Sequence, residues 1–323
     1  MKLLPLILLF ISLTVSSKEL SVITYNTGLT KKVAIFPLVS HVKERSAKQA
    51  HIFFNQTELI NPRDPFVLML QEVWSKRSFK LFKKEAHKKG YYIIPENYKM
   101  VKNRGIVTLT NLEVKNYYFN AFTQDHPKIN NRGVLVTEID FNAEPLILFN
   151  THTSYSGYEA PSEVNLSQFR EIKNLIENYR DQRIILSGDF NSGPDLNSAN
   201  SMYDQSEVLW HSTKTGIFGL LAPSLNHFTN INHRTWDQTN PLIRNSTFII
   251  KMYNQMKNGT FGWEVKTASI DHIFGNTGKV ISQKRILDQE IEIKKRSHKK
   301  SSEDHSIATR LSDHYGIQVI LDI

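Results

Sequence analysis

The stretch IILSGDFNSGP, residues Ile184 to Pro194, decides the fold. An apolar run of β-formers ends in Gly188-Asp189-Phe190-Asn191, and Ser192-Gly193-Pro194 then turns the chain away. Consecutive apolar residues without helical spacing read as a strand buried on both faces, and Ser-Gly-Pro is turn chemistry. Strand alternation about Phe190 would carry Asp189 and Asn191 towards one cleft.

The same design recurs along the chain. Val22-Ile23-Thr24-Tyr25 ends in Asn26, Val67 to Gln71 in Glu72, and Leu146 to Asn150 leads to His152. Ala268-Ser269-Ile270 meets Asp271, and Leu311-Ser312 precedes Asp313-His314. Singly, each has a plainer explanation: an Asp or Asn after a strand is usually a turn or helix cap, and His152 would pass for a satisfied core imidazole. Six such ends in one chain are different, because neighbouring strands bring their ends together.

Between these strands the pattern predicts a helix within Val42 to Ile60, a second over Phe79 to Lys89, and an amphipathic third on Val164, Phe169, Ile172, Leu175, Ile176 and Tyr179. Further strands are expected at Tyr91 to Ile94, Ile106 to Thr110, Val114 to Phe119, Val134 to Ile139, Glu290 to Ile293 and Gly316 to Leu321, with turns at Asn130 to Gly133 and Asn142 to Pro145. Many strands with few helices predict an α/β sandwich of two sheets covered by helices. With 323 residues, no internal repeat and no proline-rich linker, residues 18–323 are expected to form a single domain.

Met1 to Ser17 has one lysine, an apolar run from Leu3 to Val15 and then small residues, the layout of a signal peptide cleaved near Ser17. That run is shorter than the roughly 20 residues that span a bilayer. A secreted or periplasmic protein is expected, and with no cysteine it has neither disulfides nor thiolate chemistry. The formal net charge of +9 favours polyanions: nucleic acid, anionic lipid or phosphorylated substrates.

The residues at the strand ends are hard oxygen donors, carboxamides and histidines. Magnesium takes oxygen ligands and needs only one or two carboxylates when a substrate phosphate adds another oxygen, so the set suits metal-assisted hydrolysis of a phosphate ester.

In their order, Asn26, LQEVW (Leu70 to Trp74), NTHTSY (Asn150 to Tyr155), SGDFNSGP (Ser187 to Pro194), SIDHIF (Ser269 to Phe274) and LSDH (Leu311 to His314) resemble the endonuclease/exonuclease/phosphatase superfamily over essentially the whole chain after the leader. The resemblance implies a four-layered α/β sandwich of two packed, mostly antiparallel sheets flanked by helices, with one cleft dependent on Mg2+ or another divalent cation. It implies Glu72 as principal metal ligand with Asn26 beside it, and Asp313 at the metal directly or through water. His314 would be the general base or the electrostatic partner of the attacking water, oriented by Asp271, with Asp189 as the competing base. Asn191 and His152 would donate to the phosphoryl oxygens. His272, next to Asp271, would face the other side of its strand and be structural.

LQEVWS (Leu70 to Ser75), the pairing of GIVTLTN (Gly105 to Asn111) with NRGVLVTEID (Asn131 to Asp140), and RTWDQTNPL (Arg234 to Leu242) are similar to the neutral sphingomyelinase branch. Sphingomyelin is the expected substrate and a phospholipid membrane surface the expected partner; a secreted nuclease acting on DNA is the alternative. Trp74 and Trp236 either fill core or stack on a quaternary ammonium. TGIFGLLAPSL (Thr215 to Leu225) forms either an apolar wedge or a buried strand, and the basic run Lys294 to Lys300 either a solvated loop or an anion-attracting one. A catalytically inactive binding module would not need the full metal and proton-transfer set.

Overall fold

The structure, a computed structural model, describes residues 19–29, 39–102, 104–124, 131–154, 163–193, 217–230, 232–237, 239–244, 246, 267–294 and 306–323. The leader and the basic residues 295–300 lie outside them.

Two six-stranded sheets form the centre. The first contains β1 (Glu19–Asn26), β2 (Phe66–Gln71), β3 (Tyr92–Ile94), β4 (Val107–Thr110), β11 (Lys279–Ile286) and β14 (Gly316–Asp322), in the order β11-β14-β1-β2-β4-β3. The second contains β5 (Val114–Ala121), β6 (Gly133–Phe141), β7 (Glu144–His152), β8 (Arg183–Asp189), β9 (Asn226–His227) and β10 (Asp271–Gly275), in the order β5-β6-β7-β8-β10-β9. Strands β12 (Ile291–Lys294) and β13 (Ser306–Thr309) pair separately as an antiparallel hairpin.

Alternation along the central strands creates three apolar interfaces. Leu20, Val22, Val67, Met69, Leu146, Leu148, Ile185, Ile273, Ile317 and Val319 meet between the sheets. Ile23, Tyr25, Leu68 and Leu70 face the other way, under α1 (Val42–Asn55) and α2 (Lys76–Lys88), whose Phe53, Phe54, Phe79 and Phe82 cover them. Ile147, Phe149, Ile184, Leu186 and Phe274 likewise lie under Leu166, Phe169, Ile172 and Ile176 of α4 (Glu163–Glu177). The layers therefore run helix, sheet, sheet, helix. A strand with apolar residues on both faces can be satisfied only in such a stack, which is why these strands read as unbroken apolar runs.

Within the sheets, neighbouring strands are antiparallel except for one parallel pair in each: β1 with β2, joined through α1, and β7 with β8, joined through α4. The register pairs Asn26 with Gln71, His152 with Asp189, and Asp189 with Asp271. Asn142 and Ala143, with φ of 58° and 62°, turn β6 into β7, where the turn was expected.

Strand β11 was not apparent from the sequence, because its Lys279, Gln283, Lys284 and Arg285 are edge residues with little apolar alternation. The buried strand that was one expectation for residues 215–225 is not formed. Ile217–Leu221 is a short helix, α5, and Leu220 and Leu221 are buried in the cluster around α4, so they form no exposed wedge; the Ile217 and Phe218 side chains lie outside the description. Two further short helices are α3 (Tyr98–Val101) and α6 (Pro241–Arg244).

Candidate active site at the adjoining sheet ends

The two sheets bring their polar strand ends to one place. Asp189, at the end of β8, is the hub. Its carboxylate accepts from Asn26 Nδ2 at 2.8 Å and from the Asn191 main-chain N–H at 2.8 Å. His152 Nε2 lies 3.5 Å and His314 Nε2 3.8 Å from the same carboxylate. His314 Nδ1 is 2.9 Å from Asp271 Oδ2, and its Nε2 is 3.5 Å from Asn26 Nδ2. With Nδ1–H directed at Asp271, the proton-exchanging nitrogen is Nε2, which faces Asp189.

Asn26 is fixed at both ends of its amide: Nδ2 donates to Asp189, and Oδ1 accepts from the Gly28 main chain at 3.0 Å. Gly28 has φ +55°, and a Cβ there would fall 2.3 Å from Asp313 Oδ1 and 2.7 Å from Ser312 Oγ. Only glycine leaves this space for the Asp313 carboxylate. Ser312 Oγ in turn donates to Asn26 O at 2.7 Å.

Glu72 follows the paired end of β2 and has φ +58°. A left-handed glutamate is uncommon and costs of order 1–3 kcal/mol, a strain found mostly at functional positions. Strand β8 ends at Asp189, so strand alternation does not reach Asn191; a left-handed backbone (φ +47°) places it instead, with Nδ2 donating to Thr153 O at 3.0 Å. Phe190 between them is fully buried, its N–H held by Ile270 O. His272 does lie on the opposite face from Asp271, packed against Phe190, Phe274 and His227.

Electrostatics separates these groups. Burial alone would lower the His314 pKa, but the Asp271 and Asp189 carboxylates and the Asp271 hydrogen bond overcome it and raise it to about 10. Burial, then the Asp271 charge, pushes the Asp189 carboxyl up, against His314 and its two hydrogen bonds. Burial, then the charges of Arg132 and His314, keeps His152 well below the ordinary histidine value, so it is neutral at pH 7. His152 Nδ1 and Asp271 Oδ1 are buried without a hydrogen-bond partner among the described residues.

Neither tryptophan is fully buried core. Trp236 bridges in the main chain to both Ala268 and His314, and its indole packs edge-on against the His314 ring, centroids 4.9 Å apart. Half-buried Trp74 lies against Gly105, where a Cβ would come within 2.8 Å of the indole.

One buried group among the described residues has the spacing that a cation site needs. Asp189, Asp271 and His314 present ligand atoms all within 4.8 Å of one another. None of the ligands expected from the sequence belongs to it: Asn26 and Asp313 meet around Gly28 and Ser312, and Glu72 directly follows Gln71, the partner of Asn26 across the parallel strands. Both donor sets fit magnesium better than a soft metal.

Arg45, Gln49, Gln71 and Ser312 were not recognised from the sequence as supports of the site. For Arg45 and Gln49 a signal existed: both are polar residues on the face of α1 that also buries Val42, Ala50, Ile52 and Phe53.

No protein-family model matches the sequence, and no curated protein matches it. The fold is found in solved structures. A variant of beta toxin from Staphylococcus aureus with bound magnesium ions matches with TM-score 0.61 and 14% identity, over 93% of this chain and 98% of the toxin. Sphingomyelinase C from Streptomyces griseocarneus matches with TM-score 0.59 and 15% identity, over 93% and 98%. D. rerio TDP2 complexed with a single-strand DNA product matches with TM-score 0.56 and 17% identity, over 94% and 98%. The chain thus has the fold of the endonuclease/exonuclease/phosphatase superfamily.

Proposed function

We propose that the protein is a secreted, divalent-metal-dependent phosphodiesterase that cleaves sphingomyelin between ceramide oxygen and phosphorus. The observation that carries this is the convergence of Asn26, His152, Asp189, Asp271 and His314 at the adjoining ends of two sheets. A proton-exchange pair, a carboxylate that orients its histidine, and neutral donors beside them are what hydrolysis by water requires.

Glu72, Asn26 and Asp313 would hold the cation, which when bound neutralises phosphoryl charge and makes water more acidic. The rest is done by the chain itself. His314 and Asp189 face each other across 3.8 Å; with the His314 pKa raised to about 10, Asp189 is the group open to the proton of the attacking water, and His314 can give one to the leaving oxygen. Asp271 holds the imidazole so that Nε2 points at the reaction. Neutral His152 and Asn191 flank Asp189 and are assigned to the phosphoryl oxygens. Water's oxygen bonds to phosphorus, the bond to the ceramide oxygen breaks, and that oxygen leaves with a proton, giving phosphocholine and ceramide.

The sphingomyelin assignment draws on the LQEVWS and RTWDQTNPL motifs and on the likeness to sphingomyelinase C. Half-buried Trp236, packed against His314, is suited to a quaternary ammonium, and Trp74, two residues after Glu72, is a second candidate. Among the described residues no helix is long and apolar enough to cross a membrane, so the enzyme would meet lipid at the bilayer surface. A nuclease is the second reading, favoured by the net charge of +9 and the likeness to TDP2.

The deciding experiment offers the purified protein, with magnesium, sphingomyelin vesicles and plasmid DNA side by side, each with and without chelator. Chelator-sensitive phosphocholine release with intact DNA is expected. DNA nicking without lipid turnover would replace the first reading by the second.

A further inference from the structure

Arg45 is the largest fully buried side chain of the described residues, at 0% exposure. Its guanidinium donates to main-chain carbonyls: Nε to Ser40 at 2.8 Å, Nη1 to Leu311 at 2.8 Å and Thr27 at 3.3 Å, and Nη2 to Gly28 at 2.6 Å. Gln49, one turn further along α1, donates to Thr27 O and Leu311 O, each at 2.8 Å. Thr27 and Gly28 directly follow Asn26, and Leu311 lies two residues before Asp313 and three before His314.

A buried guanidinium normally pairs with a carboxylate, since an ion removed from water needs compensation. Here the compensation is a ring of carbonyl dipoles, and the acidic side chains within its electrostatic reach are Asp313 and Glu72, two of the residues assigned to the metal. If only packing mattered, an aliphatic residue at position 45 would avoid the desolvation. The bonds converge instead on the two segments that carry Asn26, Asp313 and His314.

We infer that Arg45 and Gln49 are positioning residues that lock the Asn26 and Asp313-His314 segments together, with the guanidinium as a fixed cation behind the metal-side carboxylates. The inference rests on the phosphodiesterase reading for its effect on turnover, but not for its effect on metal binding. Neither residue touches substrate. Their action is to preset the spacing of Asn26, Asp313 and His314, so the site need not reorganise when a cation arrives.

The test uses two variants. Arg45→Lys keeps the charge but loses the fork, and Gln49→Met keeps the volume but loses both N–H donors. Three quantities are read: Mn2+ affinity of the substrate-free protein by electron paramagnetic resonance, kcat and KM on the phosphodiester that the unaltered enzyme cleaves, and melting temperature. For Arg45→Lys, kcat and Mn2+ affinity are expected to fall together by about 10- to 100-fold, with KM changed by less than about twofold. Gln49→Met is expected to shift both in the same direction by less. Folded variants with unaltered Mn2+ affinity and kcat would overturn the inference, as would native protein that binds no Mn2+. If Arg45→Lys does not fold, Gln49→Met decides. If the native protein cleaves no phosphodiester, the functional reading falls, and the Mn2+ measurement alone decides the positioning role.

Discussion

The two crossover units, β1-α1-β2 in one sheet and β7-α4-β8 in the other, are built alike and electrostatically different. Among the described residues each has the only parallel strand pair of its sheet, a helix on the outer face, and candidate site residues at the strand ends: Asn26 and Glu72 in the first, His152 and Asp189 in the second. Each helix also sends buried polar side chains to the loop after its first strand. From α1 these are Arg45 and Gln49. From α4 they are Asn165, which donates to Ser154 O at 2.8 Å, and Gln168, which accepts from Ser154 N at 2.7 Å. The first support contains a permanent cation and the second is neutral. Carboxylates that must stay ionised gain from a fixed positive charge, whereas a carboxyl group that exchanges protons is better served by burial and neutral donors, which let its pKa rise.

The comparison breaks most visibly if one residue from each side is removed. Glu72→Ala is expected to lose both Mn2+ binding and turnover. His314→Ala should lose turnover by about 10³-fold while retaining Mn2+ affinity, the magnitude typical of removing an acid–base group. Circular dichroism checks that both variants fold. If His314→Ala loses the ion as well, the cation sits on the Asp189, Asp271 and His314 group instead.

A smaller effect sharpens the neutral side. Asp189 has a carboxyl pKa raised above its ordinary value, so the folded state holds its proton more tightly than the unfolded state and ionisation above that range costs stability. In chelator, Asp189→Asn should therefore melt above the unaltered protein at pH 8, and the gain should shrink as the pH falls towards 4, while turnover is lost. A variant that melts lower at pH 8 would show that the pair with His314 stabilises the carboxylate overall.

The least effect is expected where the two units touch. Gln71 Nε2 donates to Asn150 Oδ1 across the sheets at 2.9 Å, and Asn150 Nδ2 donates to Val107 O at 3.0 Å on the far side. Gln71→Met leaves a buried acceptor unpaired and should cost about 1–3 kcal/mol by urea unfolding. Gln71 and Asn150 immediately precede Glu72 and the Thr151-His152 pair, so a loss in kcat well beyond this would mean that the inter-sheet bond also aligns the site.

Much of the site was legible because strands advertise their ends. Asn26, Asp189, Asp271 and His314 each terminate or follow an apolar run, and the sheets had only to bring those ends together. Strand alternation does not account for Asn191: it lies past the end of β8, and a left-handed turn places it. Strand β11 escaped notice because an edge strand needs no apolar face, and α5 because five residues are too few to show a period.

The sequence by itself determined the four layers, since runs apolar on both faces can be buried only between other layers, and it marked the polar strand ends as candidates for the chemistry. Only the tertiary structure decided which of them touch. The 3.8 Å between His314 and Asp189, the Gly28 space filled by Asp313, and the carbonyl ring about Arg45 join residues far apart in the chain. Such contacts depend on strand register and sheet packing, which local preference does not specify.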